Sequence, residues 1–208
     1  MAKYIDAKCR LCRREGVKLY LKGERCFSPK CPIDKRGAQI PGQHGKKQGR
    51  PRLSGYGVQL REKQKTKRFY GILESHLQAY YEKALKSPQN TGETLLQLLE
   101  SRLDNVAFKL GLASSRSLSR QLVTHGHVLV NDKKVDVPSY TVKPGMVISV
   151  SNRGLKINYV AESLKREDYQ LPSWVSRKGH IGKMERLPNR DEIESGIKEN
   201  LIIEYYSR

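Results

Sequence analysis

All four cysteines of this 208-residue chain fall within 23 residues, in Cys9-Arg-Leu-Cys12 and Cys26-Phe-Ser-Pro-Lys-Cys31. A Cys-x-x-Cys pair turns the backbone so that both sulfurs face one point. A second close pair, thirteen residues further on, can supply the other half of a tetrahedral set. The spacing predicts one structural zinc ion held by Cys9, Cys12, Cys26 and Cys31. A four-cysteine iron–sulfur cluster and two disulfides are the alternatives. A catalytic zinc keeps a coordination position open, so no active site is expected at these thiols. The segment has few apolar residues, and metal binding would supply folding free energy that burial cannot. Arg10, Arg13, Arg14 and Arg25 flank the cysteines and are expected to favour the thiolate form.

Those arginines belong to a wider imbalance. The chain carries 40 Lys+Arg against 21 Asp+Glu, a net charge of +19. Residues 1–70 hold 20 of the cations and only 5 of the acids. A compact body this basic repels itself unless a polyanion neutralises it, which makes nucleic acid the expected partner. No apolar run approaches the roughly 20 residues of a membrane span, and MAKYIDAKCR has no apolar signal core. A soluble, cytosolic protein without a membrane partner is expected.

Beyond the cysteines, residues 30–53 are rich in Gly, Pro and basic residues and show neither helical nor strand period, so an extended arm is expected. From Ser54 the apolar positions Tyr56, Leu60, Phe69, Ile72, Leu73, Leu77, Tyr80, Tyr81 and Leu85 recur at helical spacing, with a break near Gly71 and a stop at Pro88. Arg61, Lys63, Lys65, Lys67 and Arg68 between them predict a basic face. Thr91 caps a leucine-periodic helix that runs to Gly111. A shorter helix fits Arg116–His125, capped by Ser114 or Ser115 and closed by Gly126. Short runs come next, HVLVN, KVDV, YTV and VISV, separated by Asn131-Asp132 and Pro144-Gly145, which predict a small antiparallel sheet. Arg116 and Arg120 stand four apart, with His125 and His127 beyond them, an arrangement suited to phosphate contacts. Trp174 reads as a packing residue. Leu201–Tyr206 reads as a strand or packing segment returning to the core.

The pieces in order resemble the bacterial small-subunit ribosomal protein S4 family along essentially the whole chain. CRLCRREGVKLYLKGERCFSPKC is similar to the zinc-bearing form of the family's N-terminal arm, PGQHG at 41–45 to its loop, and LREKQKTKRFYGI at 60–72 to its basic helix. LLESRLDNVAFKLG, SRQLVTHGHVLVN and VDVPSYTVKPG resemble its RNA-binding module, and IEYYSR its end. Gly55, Asp132 and Met146 depart from the family's usual Asp, Gly and acidic residue. The resemblance implies an α+β fold with a zinc-bound arm (1–45), a helical domain (46–97, completed near 190–208) and an RNA-binding module of helices and antiparallel sheet (98–189). It also implies a primary assembly protein on the 5′ domain of 16S rRNA, near ribosomal protein S5 and the point where mRNA enters, with an influence on decoding accuracy. Some relatives repress their own operon. The candidate rRNA contacts are Arg10, Arg13, Arg14, Arg25, His44, Lys46, Lys47, Arg50, Arg52, Tyr56, Arg61, Lys63, Lys65, Lys67, Arg68, Arg116, Arg120, His125 and His127.

Two rival functions have a sequence handle. Pseudouridine synthases carry the same RNA-binding module and a catalytic Asp in an Arg-Leu-Asp motif, and Arg102-Leu103-Asp104 matches those letters. Asp104 sits inside a leucine-periodic segment, however, where pairing with Arg102 or Arg120 is its ordinary role, and no room is left for a catalytic domain. A zinc-dependent DNA-binding regulator would need a base-reading helix after the cysteines, and the sequence offers none there. No enzyme is expected.

Overall fold

The computed structural model describes residues 4–46, 53–166, 169–193 and 196–208. Among them the fold is α+β, with ten α-helices and one five-stranded antiparallel sheet. In chain order, α1 (Lys8–Glu15), α2 (Pro32–Arg36), α3 (Gly55–Tyr70), α4 (Glu74–Leu85), α5 (Thr91–Glu100), α6 (Leu103–Lys109) and α7 (Arg116–Thr124) precede β1 (Val128–Val130), β2 (Lys133–Lys134) and β3 (Val147–Val150). Then come α8 (Asn152–Leu155), α9 (Asn158–Leu164), β4 (Val175–Lys178), β5 (Ile181–Met184) and α10 (Glu199–Tyr206). The chain forms two compact units, residues 1–92 with 196–208, and residues 93–195.

In the first unit, the segment expected to be extended contains α2 and a 3-10 turn at Gln43–Lys46. Pro32 opens α2, where its missing N–H would be unbonded anyway, and Gly37 ends it at φ 68. Ser54 caps α3 by accepting from the Gly57 N–H at 3.2 Å, and Gly71 closes it in the left-handed region. The last segment is a helix, α10, rather than a strand. It packs against α3 with Ile202 buried, and Gln59 Nε2 donates to Glu204 Oε2 at 2.8 Å.

The second unit departs from the expected single helix over 91–110. The leucine period runs on unbroken, but the backbone leaves the helix at Arg102 (ψ 137). Neighbouring backbone captures the groups that would have continued it: Val142 N–H donates to Ser101 O at 2.8 Å, and Leu103 N–H to Tyr140 O at 2.9 Å. The loop 138–142 therefore binds this helix break, and YTV contributes only a bridge from Thr141 to Arg102 instead of a strand. KVDV likewise pairs only at its start, as β2. The strand order is β2-β1-β3-β5-β4. The β4–β5 hairpin lay outside the strand pattern read from the sequence; Gly179, at φ 60, makes its two-residue turn. Apolar side chains from Leu103 on α6 through Leu122, Val128 and Ile148 to Trp174 and Met184 form one core. Gly182 lets Leu110 into it, since a Cβ there would stand 2.5 Å from Leu110 Cδ2. Burial of each large side chain in this core is worth about 1.5–3 kcal/mol.

Candidate nucleic-acid interface

The cysteines are brought together by three short turns. Cys9 and Cys12 lie on α1, Cys26 ends a 3-10 turn at Gly23–Cys26, and Cys31 caps α2. All four are unpaired thiols and line one cavity of about 20 Å³, room for one water-sized occupant. The donor chemistry and the cavity suit a single metal ion, yet the thiols do not close on a point. Among the described residues, no three His, Cys, Asp or Glu side chains stand where one ion could be held. Burial, more than any other cause, pushes the Cys12 and Cys26 thiols up. Against it, the Leu19 N–H bonds Cys12, and the Lys22 N–H donates to Cys26 Sγ at 3.3 Å. Lys18 is a cation that favours the Cys26 thiolate. Arg25 lines the cavity but is exposed, as are Arg10 and Arg14, while Arg13 Nε donates to Gln39 O at 2.9 Å.

The basic face expected on α3 is largely turned to carboxylates of its own unit. Arg61 Nη1 lies 3.3 Å from Glu15 Oε1, and Arg68 pairs with the same oxygen. Lys63 and Lys67 clasp the two oxygens of Glu74 at 2.7 and 3.2 Å, and Lys65 pairs with Glu62 at 3.0 Å. Lys63 is only 4% exposed and also lies 4.2 Å from the Tyr205 ring centroid. Glu15 keeps a side-chain exposure of 2%, and burial pushes its carboxyl up against the pull of Arg68 and Arg61. At Glu74 burial pushes the same way but is outweighed by hydrogen bonds from Lys63, Tyr206 and Lys67. These five cations thus form ion pairs within the first unit, with Lys63 buried and Arg61, Lys65, Lys67 and Arg68 half-buried. Lys63 belongs to the buried stripe of α3 (Gln59, Lys63, Thr66, Phe69, Tyr70), and a buried ammonium needs a partner. Tyr56, 48% exposed, stays at the surface beside Tyr205, ring centroids 5.7 Å apart.

Two cations of α7 are also engaged within the fold. Arg120 is buried and its Nη1 reaches Asp104 Oδ2 at 3.2 Å; Arg102 holds the same carboxylate through Nε and Nη2 at 3.0 and 2.7 Å. Ser119 Oγ donates to Asp104 O at 2.6 Å. Arg116 Nε donates to Asn105 Oδ1 at 2.8 Å, with its guanidinium 4.7 Å from the Phe108 ring centroid. The face that carries Arg116 and Arg120 therefore serves the α6–α7 contact, and a helical-spacing argument cannot tell that face from an outer one. His125 is exposed and His127 half-buried just past α7, their rings 6.3 Å apart.

Sequence reasoning missed the cations nearest this pair. Lys133 and Lys134 form β2, both exposed, and Lys134 lies across Gly126, where a Cβ would stand 2.0 Å from its Cε. Arg153, at the start of α8, is exposed as well. The Asn131-Asp132 turn next to a lysine pair was the signal, since a tight hairpin holds the residues just past its turn at the surface. Both turn residues adopt positive φ, 47 and 63. Lys47, Arg50 and Arg52 lie outside the described residues, as do the side chains of His44 and Lys46.

Residues 3–100 match the family model of the ribosomal protein S4/S9 N-terminal domain, and residues 101–148 that of the S4 domain. The chain is 53% identical over 211 residues to the small ribosomal subunit protein uS4 of Pelotomaculum thermopropionicum. It is 53% identical over 210 to the uS4A protein of Alkaliphilus metalliredigens, and 48% over 211 to that of Myxococcus xanthus. In each case all of both chains is covered.

Proposed function

The chain belongs to the ribosomal protein S4 family, and on that premise we propose that it is a structural constituent of the small ribosomal subunit that grips 16S rRNA through both units. It is not an enzyme: its relatives are ribosomal proteins, and the one residue with a catalytic analogue, Asp104, is occupied by Arg102 and Arg120. Among the described residues, no helix is long and apolar enough to cross a membrane. Its place is the ribosome, in the cytoplasm.

The observation that carries the reading is full-length identity to uS4 chains. The RNA contact of the module is the corner built by His125, His127, Lys133, Lys134 and Arg153, exposed or half-exposed around the end of α7 and the β1–β2 hairpin. That of the first unit is the exposed set Arg10, Arg14 and Arg25, with Lys47, Arg50 and Arg52 further along the chain. On this reading residues 1–45 form an arm held by one zinc ion on Cys9, Cys12, Cys26 and Cys31, residues 46–97 with the C-terminal segment a helical body, and 98–189 the module. Four unpaired thiols lining one cavity of single-ion size support the zinc. Zinc there would act as a cross-link that lets a short apolar-poor segment hold its turns. A primary role on the 5′ domain, neighbourhood to ribosomal protein S5 and to incoming mRNA, influence on accuracy, and repression of its own mRNA belong to the same proposal.

Filter binding of the full chain to 16S 5′-domain RNA tests it. With about 8 phosphates neutralised, the log–log salt slope is expected near −6 to −7, and a slope shallower than about −3 overturns the electrostatic reading. Replacing Lys133 and Lys134 with Gln should flatten the slope by roughly 1.5, at about 0.7–0.9 per phosphate. Duplex DNA should compete poorly, because this is a grip on RNA shape and phosphate.

A further inference from the structure

The rings of Tyr20 and Phe27 stack on the outside of the cysteine-bearing segment, centroids 4.9 Å apart and planes 25° from parallel. Phe27 is 75% exposed, an unusual position for the most readily buried kind of aromatic. The pair is held firmly. Lys22 N–H bonds Cys26 Sγ at 3.3 Å and Phe27 N–H bonds Glu24 O at 2.9 Å, so the loop between the two rings is tied at both ends. Tyr20 sits at φ 50, a left-handed conformation that an aromatic residue adopts only where its surroundings impose it. The local fold thus keeps a strained tyrosine to support an exposed phenylalanine.

The segment that carries this stack is cationic. Lys22 and Arg25, between the two rings in sequence, and Lys30, three residues beyond Phe27, are exposed, as is Glu24, while Lys18 is engaged by Asp34 at 2.7 Å. An apolar protein partner would ask for an apolar rim around an exposed phenylalanine; alternating phosphate and base asks for cations around an aromatic face. We propose that the Phe27–Tyr20 stack is a platform for one unpaired RNA base, with Lys22, Arg25 and Lys30 on the flanking phosphates. Tyr20 backs the ring that meets the base, so the platform is ordered before the strand arrives and little freedom is lost on binding. This rests on the rRNA-binding reading and adds a base-stacking contact to it.

The test uses the full-length chain and 16S 5′-domain RNA, with salt titrations of each variant beside the unaltered protein. F27A should bind about five- to one-hundred-fold more weakly with an unchanged salt slope, because stacking releases no counterions. R25Q should instead flatten the slope by about 0.7–0.9. F27W should keep the affinity, and its indole emission should be quenched by RNA above the background of the buried Trp174, which the unaltered chain supplies. F27L distinguishes stacking from general apolar contact: binding as tight as the unaltered chain's overturns the platform. So does unaltered binding by F27A, or absence of quenching in F27W, which remains readable if F27A fails to fold by circular dichroism. If the unaltered chain itself fails to bind the RNA, the functional reading falls and the platform with it. If it binds and only the F27 variants are silent, the platform alone falls.

Discussion

The segment over residues 4–36 and the module over residues 93–195 hold themselves together by different means. The first has a small apolar cluster, Leu11, Leu19 and the Cys12 thiol, with Tyr4, Leu21 and Ile33 half-covered around it. Its remaining order comes from short turns tied to sulfur and from ion pairs such as Lys18–Asp34. The module has a continuous core from Leu103 to Met184 with Trp174 fully buried, and within it one carboxylate, Asp104, 4% exposed, between two guanidiniums. Exposed pairs contribute little and are screened by salt, whereas a buried charge is tolerable only while every partner stays. The two regions should therefore fail independently and for different reasons: one through its thiols, the other through its core.

Asp104→Ala gives the largest expected effect. It leaves Arg102 and Arg120 charged, buried and unmatched, and should destabilise the module by about 3–5 kcal/mol in urea denaturation tracked by emission of Trp174, the chain's single tryptophan. A loss under about 1 kcal/mol would mean that the arginines relax into water and that the contrast between the regions is overstated. Cys12→Ser should come next, and on the other side. It should abolish the zinc proposed for these thiols, read by elemental analysis, and speed hydrogen exchange over residues 8–36, while the Trp174 transition moves by no more than about 0.5 kcal/mol. A joint shift of both would break the independence.

Asp132→Gly should act in the opposite direction. Asp132 holds φ 63 in the β1–β2 turn, which glycine adopts without strain, so the module should gain up to about 1 kcal/mol in the same assay. The smallest effect concerns pH. Hydrogen bonds from Arg186 first, then Ser173, hold the Glu192 carboxyl at about 2, below its ordinary 4.5. Arg186 Nη1 donates to Glu192 Oε2 at 2.7 Å. A depressed carboxylate stabilises the fold above its unfolded value and loses that contribution as pH falls through the folded one. Melting curves should therefore show this share of stability disappearing between about 4.5 and about 2, and Glu192→Gln should remove that portion of the pH dependence. The site is open to solvent, so the change is small.

Helix starts and stops were legible because they depend on neighbours in sequence: the start after Ser54, a cap at one of Ser114 and Ser115 (Ser115 in the fold), and Gly71 and Gly126 as terminators. A pairing of Asp104 with Arg102 or Arg120 was legible, since a carboxylate in a leucine-rich helix needs a cation near; that both guanidiniums share it was not. The break at Arg102 was not, because the acceptors that cause it come from Pro138 and Tyr140, far along the chain. Nor was the direction of Arg61, Lys63, Lys67 and Arg68, whose partners Glu15 and Glu74 lie on other helices.

The amino-acid order by itself determined the kind of molecule: its charge and where along the chain that charge lies, the clustering of four thiols, the positions of caps and turns, and the family whose motifs it carries in sequence. Each of these depends on residue chemistry or on spacing of a few positions. The fold settled which cations pair with carboxylates of the same chain. A basic helix face looks the same in sequence whether it meets water or a carboxylate, and the choice is made by contacts between residues as distant as Glu15 and Arg68, or Asp104 and Arg120. Burial makes that choice binding, because a charge removed from water must keep the partner the fold provides.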